Sequence, residues 1–263
     1  MTGALSGFVA GLLGVGGGII VMPMLYAALN LIDVESTVIM HTAIGTSLAT
    51  IIPTSIASAL THNRKGALDW HLLRSWFLWI LLGCLGGTWL ANVIISGAIL
   101  STIFGCIAFL VALDLILRDR KQQQDNQRSF GQENYNWIYR PAAIPVPVSI
   151  GTFSALMGIG GGTLSVPFLN ALKYPINRAV GTSAAFGLII SIPATVGYIW
   201  GGWDIARRPV GSLGYVNIYG FFLIAATSAL FAPIGAQKAH KLSDRSLRLL
   251  FAGFLMITSA TMI

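Results

Sequence analysis

Two glycine clusters are the feature of the sequence with the clearest chemical potential. Each is a Gly-x-Gly-Gly-Gly segment followed five residues later by a proline, Pro23 in one cluster and Pro167 in the other. Consecutive glycines weaken a helix by roughly 1 kcal/mol each relative to alanine and expose bare backbone N–H groups. Such groups ahead of a helix start form an anion-binding nest. We predict a binding role, with close helix packing as the alternative. The triplets are Gly16, Gly17 and Gly18 in the first cluster and Gly160, Gly161 and Gly162 in the second.

A Gly-Thr-Ser segment follows each glycine cluster along the chain. Thr46 and Ser47 belong to the first segment, and Thr182 and Ser183 to the second. Their hydroxyls can donate hydrogen bonds to an oxyanion without carrying charge. The alternative is bonding to carbonyls of their own helix or to a neighbouring helix. If each glycine-rich turn faces the Gly-Thr-Ser segment of its own half, two half-sites meet near the middle of the bilayer.

Few ionisable residues accompany these motifs. His41 precedes Ser47 by six residues, and Asn177 and Arg178 hold the matching place in the second half. His41 is a candidate proton carrier or anion contact, with an interfacial or capping role as the alternative. Arg178 either marks the membrane interface or attracts an anion to the entrance. Asp69 and Asp204, each beside a tryptophan, are interpreted as equivalent interfacial anchors.

No catalytic machinery is evident from the sequence. We find no His, Cys and carboxylate cluster at metal-ligand spacing, no P-loop and no nucleophile motif. We therefore expect no enzyme activity, no catalytic residue, no cofactor and no bound metal. A membrane scaffold or assembly factor without transport activity is the alternative function.

The composition identifies the environment in which these motifs work. The 263 residues are 55% hydrophobic and only 10% charged, whereas soluble domains carry about 25% charged residues. The chain is therefore expected to be an integral membrane protein. The net charge of +7 does not indicate nucleic-acid binding, because the basic residues sit in short clusters between apolar runs.

The apolar runs predict an all-α membrane protein with two homologous halves. A helix needs about 20 apolar residues to cross a bilayer, and eight runs approach or exceed that length. The polar, glutamine-rich segment 118–140 divides them and is predicted to be a cytoplasmic linker. Residues 1–117 and 141–263 then form two membrane repeats of about four segments each, related by the duplicated motifs. The runs are 3–29, 36–60, 72–96, 98–117, 141–172, 179–200, 214–237 and 246–263.

The basic residues favour a particular topology. If the first and fifth runs are hairpins that turn back at their glycine clusters, 14 of the 16 Lys and Arg fall on one side. Only Arg207 and Arg208 remain opposite, as the positive-inside rule prefers. Each half then crosses three times, which is the plan of inverted repeats. The alternative is that both runs cross the bilayer fully.

These motifs, the size and the central polar loop resemble the TauE/SafE family of sulfite and organosulfonate exporters. The resemblance rests on GLLGVGGGIIVMPML and ALMGIGGGTLSVPFL, each followed by Gly-Thr-Ser. It implies a permease that moves a small sulfur-containing anion across the plasma (inner) membrane of a bacterium by alternating access. The expected partners are that anion and the lipid bilayer, with a homodimer left open. Uniport and proton coupling through His41 are the two energetic alternatives.

Overall fold

The structure, a computed structural model, describes residues 18–32, 34–117, 143–172, 174–239 and 244–262. Within these ranges it consists of nine α-helices and one short antiparallel β-hairpin. The first half contains α1 (Gly18–Leu31), α2 (Ser36–Arg64), α3 (Trp70–Val93) and α4 (Gly97–Leu117). The second half contains α5 (Pro145–Met157), α6 (Gly161–Ala171), α7 (Ile176–Gly201), β1 (Ser212–Leu213), β2 (Val216–Asn217), α8 (Ile218–Ala239) and α9 (Asp244–Met262). The predicted linker 118–140 lies outside the described residues.

The helices follow the predicted apolar runs. Three of them in the described part are long and apolar enough to cross a membrane, namely Ser36–Arg64, Trp70–Val93 and Arg178–Gly201. The predicted run 141–172 is divided into α5 and α6 by an interruption at 158–160. The chain therefore has the predicted all-α membrane fold, with a helix break at the second glycine cluster.

Helices α2 and α7 run antiparallel at the centre of the molecule. A Cβ atom on Gly45 would lie 3.1 Å from Cβ of Tyr198, whereas Gly187 lies against Ser55 further along α2. Glycine at these positions allows the two backbones to approach closely, which is how helices associate where no hydrophobic effect drives them together. This helix pair carries both Gly-Thr-Ser segments.

Helix α3 packs beside α7 and runs in the same direction. The Cys84 thiol donates to the carbonyl of Ile190 at 3.2 Å. One turn further along α3, Thr88 lies against Gly197. The indole of Trp76, near the start of α3, stacks on the Phe186 ring with centroids 5.7 Å apart. These contacts join the two halves along most of the length of α3.

The chain reverses direction between α5 and α6. Helix α5 runs parallel to α3, because Gly83 lies against Val148 and Gly87 against Thr152. Helix α6 runs antiparallel to α7, because Gly161 lies against Phe186 and Ser165 against Ser183. Since α3 and α7 are themselves parallel, α5 and α6 point in opposite directions on either side of the break.

The two ends of the bundle differ in charge. At one end, the start of α3 meets the start of α7 through a hydrogen bond between Asp69 and Thr182. Four basic residues lie near that end, namely Arg64, Lys65, Arg74 and Arg178. At the other end, Arg207 forms an exposed ion pair with Glu35 at 3.2 Å. This distribution agrees with the sides expected from the positive-inside rule.

Candidate functional site

The break between α5 and α6 is built around Gly158. This residue has φ 67° and ψ 29°, the left-handed conformation that glycine adopts with little strain. The N–H groups of Gly158 and Ile159 both donate to the carbonyl of Ser154, which caps the last turn of α5. Helix α6 then starts at Gly161, so its first N–H groups have no partner within the helix.

The two glycine clusters meet at this break. Gly18, the last glycine of the first cluster, is the first residue of α1. A Cβ atom at Gly18 would lie 3.0 Å from the nitrogen of Gly160 and 3.1 Å from Cα of Ile159. Gly14, Gly16 and Gly17 lie outside the described residues. The described part of the predicted site is therefore a direct contact between the backbones of the two halves.

Ser47 ties helix α2 to both clusters. Its hydroxyl lies 2.7 Å from the carbonyl of Gly158 and 3.4 Å from that of Gly18. One turn later, Ile51 lies against Gly18 and Gly160. Ile51 is at the middle of α2, so the meeting point of the clusters lies halfway along a helix long enough to span a bilayer.

Ser183, the counterpart of Ser47, is bonded differently. Its hydroxyl oxygen lies 2.6 Å from that of Ser165 on α6. Ser165 also hydrogen-bonds the carbonyl of Gly161, one turn earlier in the same helix. A hydroxyl has one proton, so when Ser165 donates to Gly161, Ser183 donates to Ser165. Ser183 thus contacts Gly161, in the glycine cluster of its own half, through an intermediate serine.

Thr46 and Thr182 form reciprocal hydrogen bonds between the halves. The oxygen of Thr182 accepts from the N–H of Asp69 at 2.9 Å, and that of Thr46 accepts from the N–H of Asn217 at 2.8 Å. The glycines before them admit the connecting loops: a Cβ on Gly45 would lie 2.7 Å from the carbonyl oxygen of Tyr215. A Cβ on Gly181 would likewise lie 2.5 Å from the carbonyl oxygen of Ala67.

The counterpart of Asp69 is therefore Asn217 rather than Asp204. Asp69 caps α3, its side chain accepting from the N–H groups of His71 and Leu72. Asn217 precedes α8, and its side chain accepts from the N–H of Gly220 at 2.8 Å. The sequence pairing of Asp69 with Asp204 is wrong, because the β-hairpin lengthens the second connection and moves the cap downstream of Asp204.

The carboxyl of Asp69 is the centre of a charged cluster at the basic end of the bundle. Partial burial opposes its ionisation, but hydrogen bonds from Tyr174 and from the start of α3, with the positive charge of Arg178, outweigh burial. Its pKa is therefore below its ordinary value. Arg178 itself is exposed, and the side chain of its predicted neighbour Asn177 lies outside the described part.

His41 lies near the opposite end of α2, away from the break. Its Nε2 is 2.9 Å from the carbonyl of Ala91, which requires that nitrogen to carry the proton. The ring stacks on Tyr215 with centroids 4.9 Å apart. The other ring nitrogen, Nδ1, is buried without a partner.

Two buried hydroxyls near the break escaped the sequence analysis. Ser154 on the last turn of α5 and Thr163 on the first turn of α6 are 0% and 3% exposed. Neither side-chain oxygen has a hydrogen-bond partner among the described residues. The sequence signal for them is their position, since Ser154 precedes the second glycine cluster by four residues and Thr163 directly follows it.

Two apolar cavities of the described part lie elsewhere, along the outer face of α2. The larger, about 560 Å³, is lined by α2, α3 and α7 and has Arg74 and Asn63 in its wall. The smaller, about 340 Å³, contains Thr195, Val216 and Phe221. Both share Ile56, an exposed residue on α2. Their apolar walls suit hydrocarbon rather than a hydrated anion.

The fold and the site together define a helical membrane protein whose two halves meet at a glycine-rich helix break at 158–160. The chain belongs to the sulfite exporter TauE/SafE family, whose profile matches residues 1–262. A "Probable membrane transporter protein" of Haemophilus influenzae is 33% identical over all of this chain and 96% of its own length. One from Methanocaldococcus jannaschii is 26% identical over all of this chain and 93% of its own length. These findings support a membrane transporter. No solved structure matches the chain significantly.

Proposed function

We propose that the protein is a secondary transporter that moves a small sulfur-containing anion, such as sulfite or an organosulfonate, across a bacterial plasma (inner) membrane. The carrying observation is the contact of Gly18 with the break at 158–160, buried halfway along α2. Non-helical backbone at membrane depth is tolerated where it is buried in protein or lines a cavity. Helix ends there bind anions through partial charges, as in transporters with broken helices.

The site that we propose contains the glycines of both triplets together with Ser47 and Ser183. Among the described contacts of these residues there is no ionised side chain, which suits an anion that must also be released. Thr46 and Thr182 use their oxygens to join the halves. We also propose substrate contacts by these two threonines and by His41, Asn177 and Arg178.

We further propose that the halves are inverted repeats. Helices α2 and α7 carry equivalent Gly-Thr-Ser segments and run antiparallel, which is the relation expected of inverted repeats. The reciprocal bonds of Thr46 with Asn217 and of Thr182 with Asp69 support the same symmetry. The reversal of the chain at 158–160 supports a re-entrant segment in the second half.

We propose that transport occurs by alternating access. The two reciprocal bonds lie at opposite ends of the α2–α7 pair, each joining a helix start of one half to α2 or α7 of the other. Rocking of the halves that opens one of these contacts while retaining the other would expose the break to one side at a time. In export, the anion gains about 2.3 kcal/mol per charge per 100 mV of inside-negative potential.

Uptake into proteoliposomes tests the proposed function. Purified protein is reconstituted, and uptake of sulfite, sulfate, thiosulfate and small sulfonates is measured at fixed potential, with protein-free liposomes as the control. We expect saturable uptake of at least one sulfur-containing anion and a raised melting temperature in its presence, because a ligand stabilises the state that it binds. Absence of saturable uptake for all of them would reject the proposal.

The same preparation distinguishes uniport from proton coupling. The pH gradient is varied at constant potential, and the potential is then varied at constant pH. Uniport predicts a rate that follows only the potential. A rate that follows the pH gradient, and that loses this dependence in His41→Gln, would instead support coupling through His41.

A further inference from the structure

Ser154 and Thr163 are hydroxyl residues next to the break whose side chains have no hydrogen-bond partner in the part of the chain that the structure describes. The four hydroxyls of the Gly-Thr-Ser segments all have protein partners. Ser154 and Thr163 are at most 3% exposed and have no partner among the described residues. Six other buried polar atoms of the described part share this condition, but Ser154 and Thr163 are the two that lie within four residues of the break in sequence. A buried polar group without a partner is unfavourable and rare in proteins, and it requires a reason. A ligand that accepts hydrogen bonds would provide that reason.

Both residues are held at the break by their backbones. The carbonyl of Ser154 accepts hydrogen bonds from the N–H groups of Gly158 and Ile159, so the backbone of Ser154 is fixed directly to the interruption. Thr163 lies on the first turn of α6, and its N–H bonds to Gly160. Gly161 contacts α7 and so does Ser165. At 3.6 residues per turn, Thr163 is therefore on the side of α6 turned away from α7.

The first half does not repeat these hydroxyls. The two glycine clusters are offset by 144 positions, so the counterparts of Ser154 and Thr163 are Ala10 and Ile19. Ile19 is fully buried. The duplicated motif is thus symmetric in its glycines but not in these two polar side chains. The two hydroxyls occur only beside the second glycine cluster.

We propose that the anion is bound asymmetrically, at the break at 158–160, by the hydroxyls of Ser154 and Thr163 and the amide groups at the start of α6. This proposal rests on the proposed transport function and specifies its binding site. In this site, Gly18 and Ser47 are the residues of the first half that lie against the break. Hydroxyls and amides present several neutral donors, which match the multiple acceptor oxygens on one sulfur of sulfite or of a sulfonate headgroup. The organic tail of a sulfonate would contribute little to recognition.

Isosteric substitutions test the proposal. Thr163→Val and Ser154→Ala remove one hydroxyl each, and we expect the KM for sulfite or the transported sulfonate to rise about 10-fold or more in each. The melting temperature without ligand should be unchanged or higher, since an unpaired buried hydroxyl is lost. The increase in melting temperature on adding the anion should be smaller in each variant than in the wild type. Thr163→Ser, which keeps the hydroxyl, should restore most of the affinity.

Thr195→Val is the matched control. The Thr195 hydroxyl is also buried and without a partner, but it lines the smaller apolar cavity rather than the break. Its substitution should leave the KM within 2-fold of the wild type. Wild-type transport with an unchanged KM in both Thr163→Val and Ser154→Ala would overturn the asymmetric site and leave the transport function standing. No transport by the wild type would overturn both.

Discussion

The hydroxyl of Ser47 donates a hydrogen bond of 2.7 Å to the carbonyl of Gly158, a residue from the other half of the chain. Gly158 is in the left-handed conformation that ends α5, and its carbonyl would otherwise have been left free by the end of the helix. One polar residue of α2 thereby fixes the position of a helix break in the opposite repeat. Movement of α2 relative to α5 would change the shape of the proposed site directly.

The first prediction concerns Gly158 itself. Gly158→Ala should lower the free energy of unfolding by about 2–4 kcal/mol, because the left-handed conformation strains alanine and its Cβ would lie 2.9 Å from Cα of Ile44. Gly66→Ala is the matched control. Gly66 has nearly the same φ, 66°, but open space around it, so only the conformational strain of about 1 kcal/mol is expected. Equal effects of the two substitutions, measured by denaturation in detergent, would contradict the close contact with α2.

The second prediction concerns the reciprocal threonines. Thr46→Val and Thr182→Val each leave a backbone N–H without its acceptor, and each should destabilise the protein by about 1–3 kcal/mol. The exposed Thr61, whose hydroxyl bonds to the carbonyl of Ala57 in its own helix, is the control. Thr61→Val should change the stability by less than about 0.5 kcal/mol. Melting temperatures of the three purified variants provide the comparison, and a Thr182→Val protein as stable as Thr61→Val would argue against the bond to Asp69.

The third prediction concerns transport through the break. Gly160→Leu should abolish transport while the protein still folds, because a Cβ at Gly160 meets only methyl groups of Ile51, at 3.5 and 3.9 Å. Gly161→Leu is a poorer test, since its Cβ would lie 2.8 Å from that of Phe186 and the substitution would disturb the packing of α6 on α7. Gly86→Leu, on an exposed face of α3 with nothing within 4 Å, is the control and should transport normally. Normal uptake by Gly160→Leu would exclude the break from the pathway.

The fourth prediction concerns pH. The pKa of the Asp69 carboxyl in the folded protein lies below its ordinary value of 3.8. A lowered pKa contributes stability that is complete above the ordinary value and is lost as the pH falls through the lower, folded-state value. Asp69→Asn keeps an acceptor for the helix cap but has no charge. The melting temperatures of wild type and Asp69→Asn should therefore differ by a constant amount between pH 7 and 5 and should converge below about pH 4.

Tyr174→Phe provides an independent check on the same carboxyl. It removes the hydrogen bond that favours the ionised form. Its deficit in melting temperature should likewise diminish as the pH falls below about 4. A difference that persists unchanged to pH 3 in both variants would contradict the ionised cluster.

The fifth prediction concerns the sides of the membrane. In a background without Cys84 and Cys106, single cysteines are placed at Lys65, Arg178 and Arg207. A membrane-impermeant maleimide applied to intact cells should label Arg207→Cys, whereas Lys65→Cys and Arg178→Cys should react only after the membrane is opened. Labelling of Lys65→Cys and Arg178→Cys from opposite sides would reject the inverted-repeat topology.

The sequence predicted the helical elements well because the bilayer imposes strong and local constraints. Apolar runs matched α2, α3 and α7, and the second glycine cluster matched the break at 158–160. The pairing of Asp69 with Asp204, predicted because both lie beside a tryptophan, is wrong, since Asn217 holds the position equivalent to Asp69. Which residue caps α8 depends on the β-hairpin before it, and that hairpin forms from turn geometry that the motif comparison did not include.

The candidate site shows the same division between local and tertiary information. Duplicated glycines, read along the chain, indicated the irregular backbone at 158–160. The anion-binding role of the glycines and hydroxyls stays a prediction. Only the packing of the helices decided that Ser47 bonds to the opposite half and that Thr46 and Thr182 accept backbone hydrogen bonds across the halves. The same packing leaves Ser154 and Thr163 without partners among the described residues. Hydrogen bonding within a membrane is a competition among all groups that come within reach, so the free donors are known only when every helix is in place.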